Sequence, residues 1–259
     1  MTKNPDDSLI VEEEFEAEAE VCSLPGGFEA EFVLGRLVTA PPGWALERAD
    51  IREMLQSRPG RLRFALTGGV AGGKSSIADI FVKLGAGHID FDQLARQAVA
   101  PGSQGLHKVL ELLGPDFADS EGQLDRPKTA RAIFSDPEKK AALESILHPI
   151  TWDLLGAELR AQESAPALAI SVPLLFEAGL ESFFSPIVMV FASAEVQRRR
   201  LRLRNPGLSP EQAEEIISSQ WPSPPKVMGS TYIINNNGSL EDSAKQVEMV
   251  WRAMLDAEM

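Results

Sequence analysis

The stretch from Gly68 to Ser76, G-G-V-A-G-G-K-S-S, spaces its glycines and lysine as G-x-x-x-x-G-K-S. Glycines let the backbone close round phosphate oxygens. The N–H groups of Gly69, Val70, Ala71, Gly72 and Gly73, with those opening the helix that follows, then supply an anion site. Lys74 reaches the β- and γ-phosphates, the Ser75 hydroxyl meets a Mg²⁺ ion, and Ser76 reaches the α-phosphate region. The pattern predicts a P-loop that binds a nucleoside triphosphate with Mg²⁺. Where the phosphate goes must come from other residues.

Transfer to a small molecule needs a carboxylate near the acceptor hydroxyl and arginines over the γ-phosphate, because the chemistry is mostly positioning and charge neutralisation. Asp90 and Asp92 in H-I-D-F-D supply the carboxylates, one for the acceptor and one for the waters of the metal. The alternative for Asp92 is a cap on the helix that follows. In R-R-R-L-R-L-R-N-P-G, Arg204 stands at a helix exit, best placed to swing over a bound phosphate, while most of the other arginines read as a solvated face. Other P-loop classes fit less well. The D-x-x-G at Asp119–Gly122 has no strand before it, N-N-N-G at 235–238 is the nearest approach to a guanine box, and Ser171 stands where a Walker B aspartate would be sought.

These groups need a scaffold, and the chain alternates accordingly. Apolar runs predict strands at 62–66, 167–172, 187–191 and 232–234, with a shorter one at 87–90 that ends on Asp90. Helical spacing fills the intervals, at 74–84, 91–99, 106–113, 127–134, 137–147, 150–161, 196–203, 210–220 and 240–255. Strand–helix alternation predicts an α/β fold with a parallel sheet covered on both faces, whose carboxyl ends share one crevice with the P-loop. Ser209, Pro210 and Gln212 form a capping box with proline at the first helical position. The interval 101–161 has helices and no good strand, which predicts an inserted helical subdomain.

The 259 residues are 44% hydrophobic, enough for one full core, and the apolar runs are too short to span a bilayer. Cys22 is the only cysteine, and the first residues lack a secretory pattern, so a reducing cytoplasm is expected. Of the net charge of −13, residues 1–60 carry 13 acids and 5 bases, a net −8. The run V-E-E-E-F-E-A-E-A-E is read as a disordered acidic extension, and such a charge disfavours nucleic acid as partner. Within residues 28–58, F-V-L-G-R-L-V is a possible strand and A-L-E-R-A-D-I-R-E-M-L a possible helix. Removing residues 1–58 is expected to leave the core intact.

Taken in order, T-G-G-V-A-G-G-K-S-S, I-D-F-D-Q-L-A-R-Q-A-V-A-P-G, I-F-S-D-P-E-K-K-A-A-L-E-S-I-L-H-P-I, V-P-L-L-F-E and I-I-N-N-N-G resemble the dephospho-CoA kinase family. The resemblance runs from about residue 62 to the C-terminus. It implies a P-loop nucleoside triphosphate hydrolase fold, a helical CoA-binding insertion at about 101–161, and a lid at about 195–225. It also implies ATP-dependent phosphorylation of the ribose 3′-hydroxyl of dephospho-CoA, with Lys74, Asp92 and Arg204 as the catalytic set. Asp92 resembles the residue that takes the acceptor proton, with Asp90 a supporting carboxylate. Arg96 is similar to a residue that pairs with a phosphate of the acceptor, the alternative being a surface salt bridge, and Glu177 to one that holds metal-bound water, the alternative being a helix cap. Asn236, Asn237 and Gly238 resemble the segment near adenine, and His148 is read as structural, at a bend made by Pro149.

Two departures fall near the lid: R-N stands where R-D is more usual, and Ser230-Thr231 replaces an Ala-Asp pair. W-P-S-P-P-K must also break any helix that continues from Gln220. The alternatives are another P-loop kinase of a nucleotide or small metabolite, and a nucleotide-binding regulatory protein. The residues leave oligomeric state open.

Overall fold

A computed structural model describes residues 20–24, 28–33, 36–37, 49–134 and 136–257. The expectation of disorder falls almost wholly on residues outside this set. The elements in chain order are β1 (Glu20–Leu24), β2 (Phe28–Val33), β3 (Arg36–Leu37), α1 (Ala49–Leu55), β4 (Leu62–Thr67), α2 (Lys74–Lys83), β5 (Gly87–Asp90), α3 (Phe91–Ala98) and α4 (Gln104–Leu113). There follow α5 (Arg126–Phe134), α6 (Pro137–Ala161), β6 (Ala167–Ser171), β7 (Ile187–Phe191), α7 (Ala194–Arg204), α8 (Pro210–Ser218), α9 (Ser223–Met228), β8 (Tyr232–Asn235) and α10 (Leu240–Ala257). β1, β2 and β3 form an antiparallel sheet among themselves.

The central sheet has the order β5-β6-β4-β7-β8 with every pairing parallel. Period-2 alternation sends Leu62, Phe64 and Leu66 of β4 to one face, where Ile77 and Phe81 of α2 and Val247 and Met254 of α10 cover them. Ala65, with Leu168 and Ile170 of β6, faces the other side, against Trp152, Leu155 and Leu159 of α6. Both faces are therefore buried, as an all-parallel sheet requires. Arg63 breaks the apolar pattern of β4 yet is fully buried; its guanidinium donates to the carbonyls of Leu62 at 2.9 Å and Ala165 at 3.0 Å.

Ile51 and Leu55 of α1 are fully buried in the α6-side core. Part of the segment before residue 61 is therefore integral to this core, and deleting residues 1–58 would open it. α6 also departs from expectation, because it runs unbroken through Pro149 where two helices were predicted. A proline inside a helix removes one N–H and costs about 3 kcal/mol. Burial on both sides of it offsets that: Leu143 packs with Val99, Leu106 and Val109, while Trp152, Leu155 and Leu159 pack on the sheet.

The helices that follow β7 start where local chemistry dictates. Ser193 caps α7, and Ser209 and Gln212 form the predicted capping box of α8 with Pro210 in its first turn. The proline-rich stretch ends one helix and begins another: α8 stops at Ser218, and the prolines occupy the first turn of α9, where their missing N–H groups are not needed.

Candidate active site

β4 delivers the chain into the phosphate loop at Gly68, whose φ of 150° lets the backbone turn against β7. A Cβ there would lie 2.4 Å from the Val190 carbonyl oxygen. Gly73, at φ 95°, is the N-cap of α2, and that helix has neither a side-chain cap nor an acidic residue in its first turn. Its first N–H groups are left to an anion. Lys74 Nζ donates to the Gly68 carbonyl at 2.8 Å, so the ammonium lies folded along the loop. Burial lowers its pKa, partly opposed by the charge of Asp92.

The loop opens on a cleft of about 350 Å³ lined by Val70 to Ser75, Asp90, Asp92, Ser171 and Arg204, among others. β5 brings Asp90 here and α3 brings Asp92. The capping role belongs to Asp90, not to Asp92: Asp90 Oδ1 accepts the Asp92 N–H at 2.8 Å. Asp92 thereby keeps both carboxylate oxygens for the cleft. Its pKa is raised by burial and by the Asp90 charge, against the pull of Lys74, Arg96 and Arg126. Arg96 is exposed one turn along α3 and makes no ion pair among the described residues.

The arginine-rich helix divides by its period. Gln197, Arg200, Leu201 and Arg204 recur at helical spacing and form the face turned to the loop. Gln197 Nε2 donates to the Val70 carbonyl at 3.0 Å, and Arg200 donates to the Gly72 carbonyl at 3.1 Å and the Asn236 carbonyl at 2.8 Å. Arg204 lines the cleft. Arg200 and Gln197 were missed, although their spacing from Arg204 was a usable signal. Gln220 was also missed; its Oε1 accepts the Val70 N–H at 2.8 Å.

Two of the expected site residues are bonded to other parts of the protein. The Asn236 amide is buried and committed, donating to the Gly72 carbonyl at 2.7 Å and accepting from Ser243 Oγ at 2.8 Å. It braces the phosphate loop, and Gly238 lies exposed at the approach to α10; neither residue lines the cleft. Glu177 is half committed: its Oε2 is buried and has no hydrogen-bond partner among the described residues. Its Oε1 accepts the Trp221 N–H at 3.1 Å and pairs with Lys226, and Glu177 does not line the cleft. His148 lies inside α6, which continues through Pro149. A residue given no role, His88 of β5, holds Ser171 Oγ at the end of β6 through Nε2 at 2.9 Å.

Among the described residues, no helix is long and apolar enough to cross a membrane. A family model described as dephospho-CoA kinase matches residues 62–242. Dephospho-CoA kinases of Geobacillus kaustophilus and Syntrophotalea carbinolica are 34% and 39% identical over 188 residues, which is 72% of this chain and 93% and 89% of theirs. The crystal structure of TT1252 from Thermus thermophilus superimposes with a TM-score of 0.67 at 33% identity, over 75% of this chain and 98% of that one. The matched span holds the phosphate loop, both aspartates and the arginine helix. On the family match and these relatives, the chain belongs to the dephospho-CoA kinase family.

Proposed function

We propose that the chain transfers the γ-phosphoryl group of ATP to the ribose 3′-hydroxyl of dephospho-CoA, giving CoA and ADP. The observation that carries this is a carboxylate with both oxygens available, Asp92, in the same cleft as Lys74, Ser75 and Arg204. Nucleotide binding alone would not need it.

In this reading the acceptor hydroxyl gives its proton to Asp92 as its oxygen bonds to Pγ. The bond from Pγ to the β–γ bridging oxygen breaks, and ADP leaves with that electron pair. The raised pKa makes Asp92 a stronger base than an aspartate of ordinary pKa. Lys74 exchanges the Gly68 carbonyl for phosphate oxygens, and Arg204 closes over the γ-phosphate. Asp90 orients Asp92 through its cap, and Arg96 meets a phosphate of the acceptor. Residues of about 101–161 hold the CoA moiety and those of about 195–225 form the lid.

The residues fit a Mg²⁺ ion held together with the nucleotide. Ser75 is exposed and its hydroxyl has no partner among the described residues, while no three acidic or imidazole side chains there converge on a point. Such a site suits a cation that keeps its waters and binds through substrate phosphates. When bound, Mg²⁺ neutralises charge on the β- and γ-oxygens. A cytoplasmic location accords with the single cysteine and with ATP as donor.

The test is transfer from ATP to dephospho-CoA with the product identified as CoA by mass, run beside Asp92→Asn and Lys74→Ala. Asp92→Asn should lose about 10²-fold or more in single-turnover transfer with ATP affinity nearly unchanged, and Lys74→Ala should lose both. Near-normal transfer by folded Asp92→Asn would remove the proposed base.

A further inference from the structure

Lys226 is a charged side chain at 2% exposure, and its partner Glu177 is 12% exposed. Removing a charge from water is costly unless pairing repays it, and such pairs add little net stability compared with an apolar replacement. A buried pair at this place therefore calls for a role other than stability. Its surroundings indicate one. The carboxylate oxygen that pairs with Lys226 also accepts the backbone N–H of Trp221. The residue before it, Gln220, accepts the N–H of Val70 in the phosphate loop. Glu177 follows β6 and Lys226 sits in α9, so the pair ties the exit of the central sheet to the segment that returns from α8.

We propose that Lys226 is a positioning residue for the nucleotide site, acting through Glu177 to register residues 220–226 so that Gln220 holds the phosphate loop at Val70.

The proposal rests on the kinase reading and extends it. The prolines at 224 and 225 fix φ along the first turn of α9, so a displacement at Lys226 is transmitted back to Gln220 rather than absorbed. With Gln220 in place, the Val70 end of the loop is set before the nucleotide arrives. That contact is made in the ground state and in the transition state alike. Losing it should raise the KM for ATP and leave kcat nearly unchanged, the mark of uniform binding. A pair that only stabilised the fold would lower the melting temperature and the active fraction and leave KM alone.

The experiment measures KM for ATP, kcat and thermal melting for the full chain and for Lys226→Met, Gln220→Ala, Glu177→Gln/Lys226→Met and Lys226→Met/Gln220→Ala. Lys226→Met and Gln220→Ala should each raise KM for ATP about tenfold, the worth of one hydrogen bond, with kcat within about threefold. The Lys226→Met/Gln220→Ala double variant should be no more than about threefold worse than the worse single one, because both act through one contact. Glu177→Gln/Lys226→Met has no unpaired buried charge; it should keep the fold and still show the raised KM. Multiplying effects in the Lys226→Met/Gln220→Ala variant, or a normal KM in Gln220→Ala, would overturn the proposal. Where Lys226→Met fails to fold, Glu177→Gln/Lys226→Met decides the question, and a normal KM in it would overturn the proposal. Absence of transfer by the unmodified chain would instead refute the kinase reading.

Discussion

Asp90 Oδ1 accepts the backbone N–H of Asp92 at 2.8 Å, so two carboxylates two residues apart do different work. The first ends β5 and caps α3. The second stands in the first turn of that helix and opens to the cleft. Asparagine caps a helix as well as aspartate does, whereas alanine costs about 1 kcal/mol. Asp90→Asn should therefore melt close to the unmodified protein, and Asp90→Ala should melt lower and lose more turnover, since Asp92 is no longer aligned. Equal turnover in the two variants would show that the cap does not position Asp92.

The raised pKa of Asp92 sets a pH dependence with a definite sign. Its protonated form cannot accept the acceptor proton, so kcat/KM should fall as pH drops through a value above the ordinary 3.8. The folded state also binds this proton more tightly than the unfolded state, so stability is lost as pH rises through the same window. Asp92→Asn should abolish the acid limb and melt higher than the unmodified protein at neutral pH. Titration of kcat/KM, with melting at each pH, checks both signs.

Asn236 and Arg200 both bond the Gly72 carbonyl, and Gly73 sits beside them with a φ of 95°. A Cβ on Gly73 would lie 2.2 Å from Asn236 Nδ2. Gly73→Ala should lose stability by about 1–3 kcal/mol and weaken ATP binding at least tenfold. Asn236→Ala takes one partner each from the Gly72 carbonyl, which keeps Arg200, and from the Ser243 hydroxyl, which keeps the Ser239 carbonyl, and should cost about 1 kcal/mol. Equilibrium unfolding and ATP titration separate the two effects.

Truncation tests the place of α1. Burying one Ile or Leu side chain is worth about 1.5–3 kcal/mol, so losing Ile51 and Leu55 removes about 3–6 kcal/mol, a large part of the roughly 5–15 kcal/mol of a typical domain. A chain starting at residue 59 should be insoluble or melt far lower. One starting near residue 47 keeps α1 and should retain activity within about threefold. Normal melting of the shorter chain would mean that α1 contributes little.

The parts legible in the residues were those fixed by local rules. The G-x-x-x-x-G-K-S spacing located the phosphate loop, apolar runs located the five strands of the central sheet, and Ser209, Pro210 and Gln212 marked the start of α8. What escaped was decided by distant partners. Pro149 signals a break, but packing on both sides of it keeps α6 continuous. Glu177 and Asn236 look available for ligands in one dimension, and each is claimed by a residue 49 or 7 positions away. Arg200 was hidden by its neighbours: five arginines within seven residues read as one charged face until the helical period separates those turned to the loop.

The central claim is the identity of the acceptor, and an acceptor panel with ATP and Mg²⁺ tests it most directly. Initial rates would be measured for dephospho-CoA, AMP, shikimate and adenylyl sulfate at equal concentrations. Phosphorylation of dephospho-CoA far faster than any of the others, at a rate that collapses in Asp92→Asn, is the predicted result. Equal or faster turnover of AMP, shikimate or adenylyl sulfate would contradict the account.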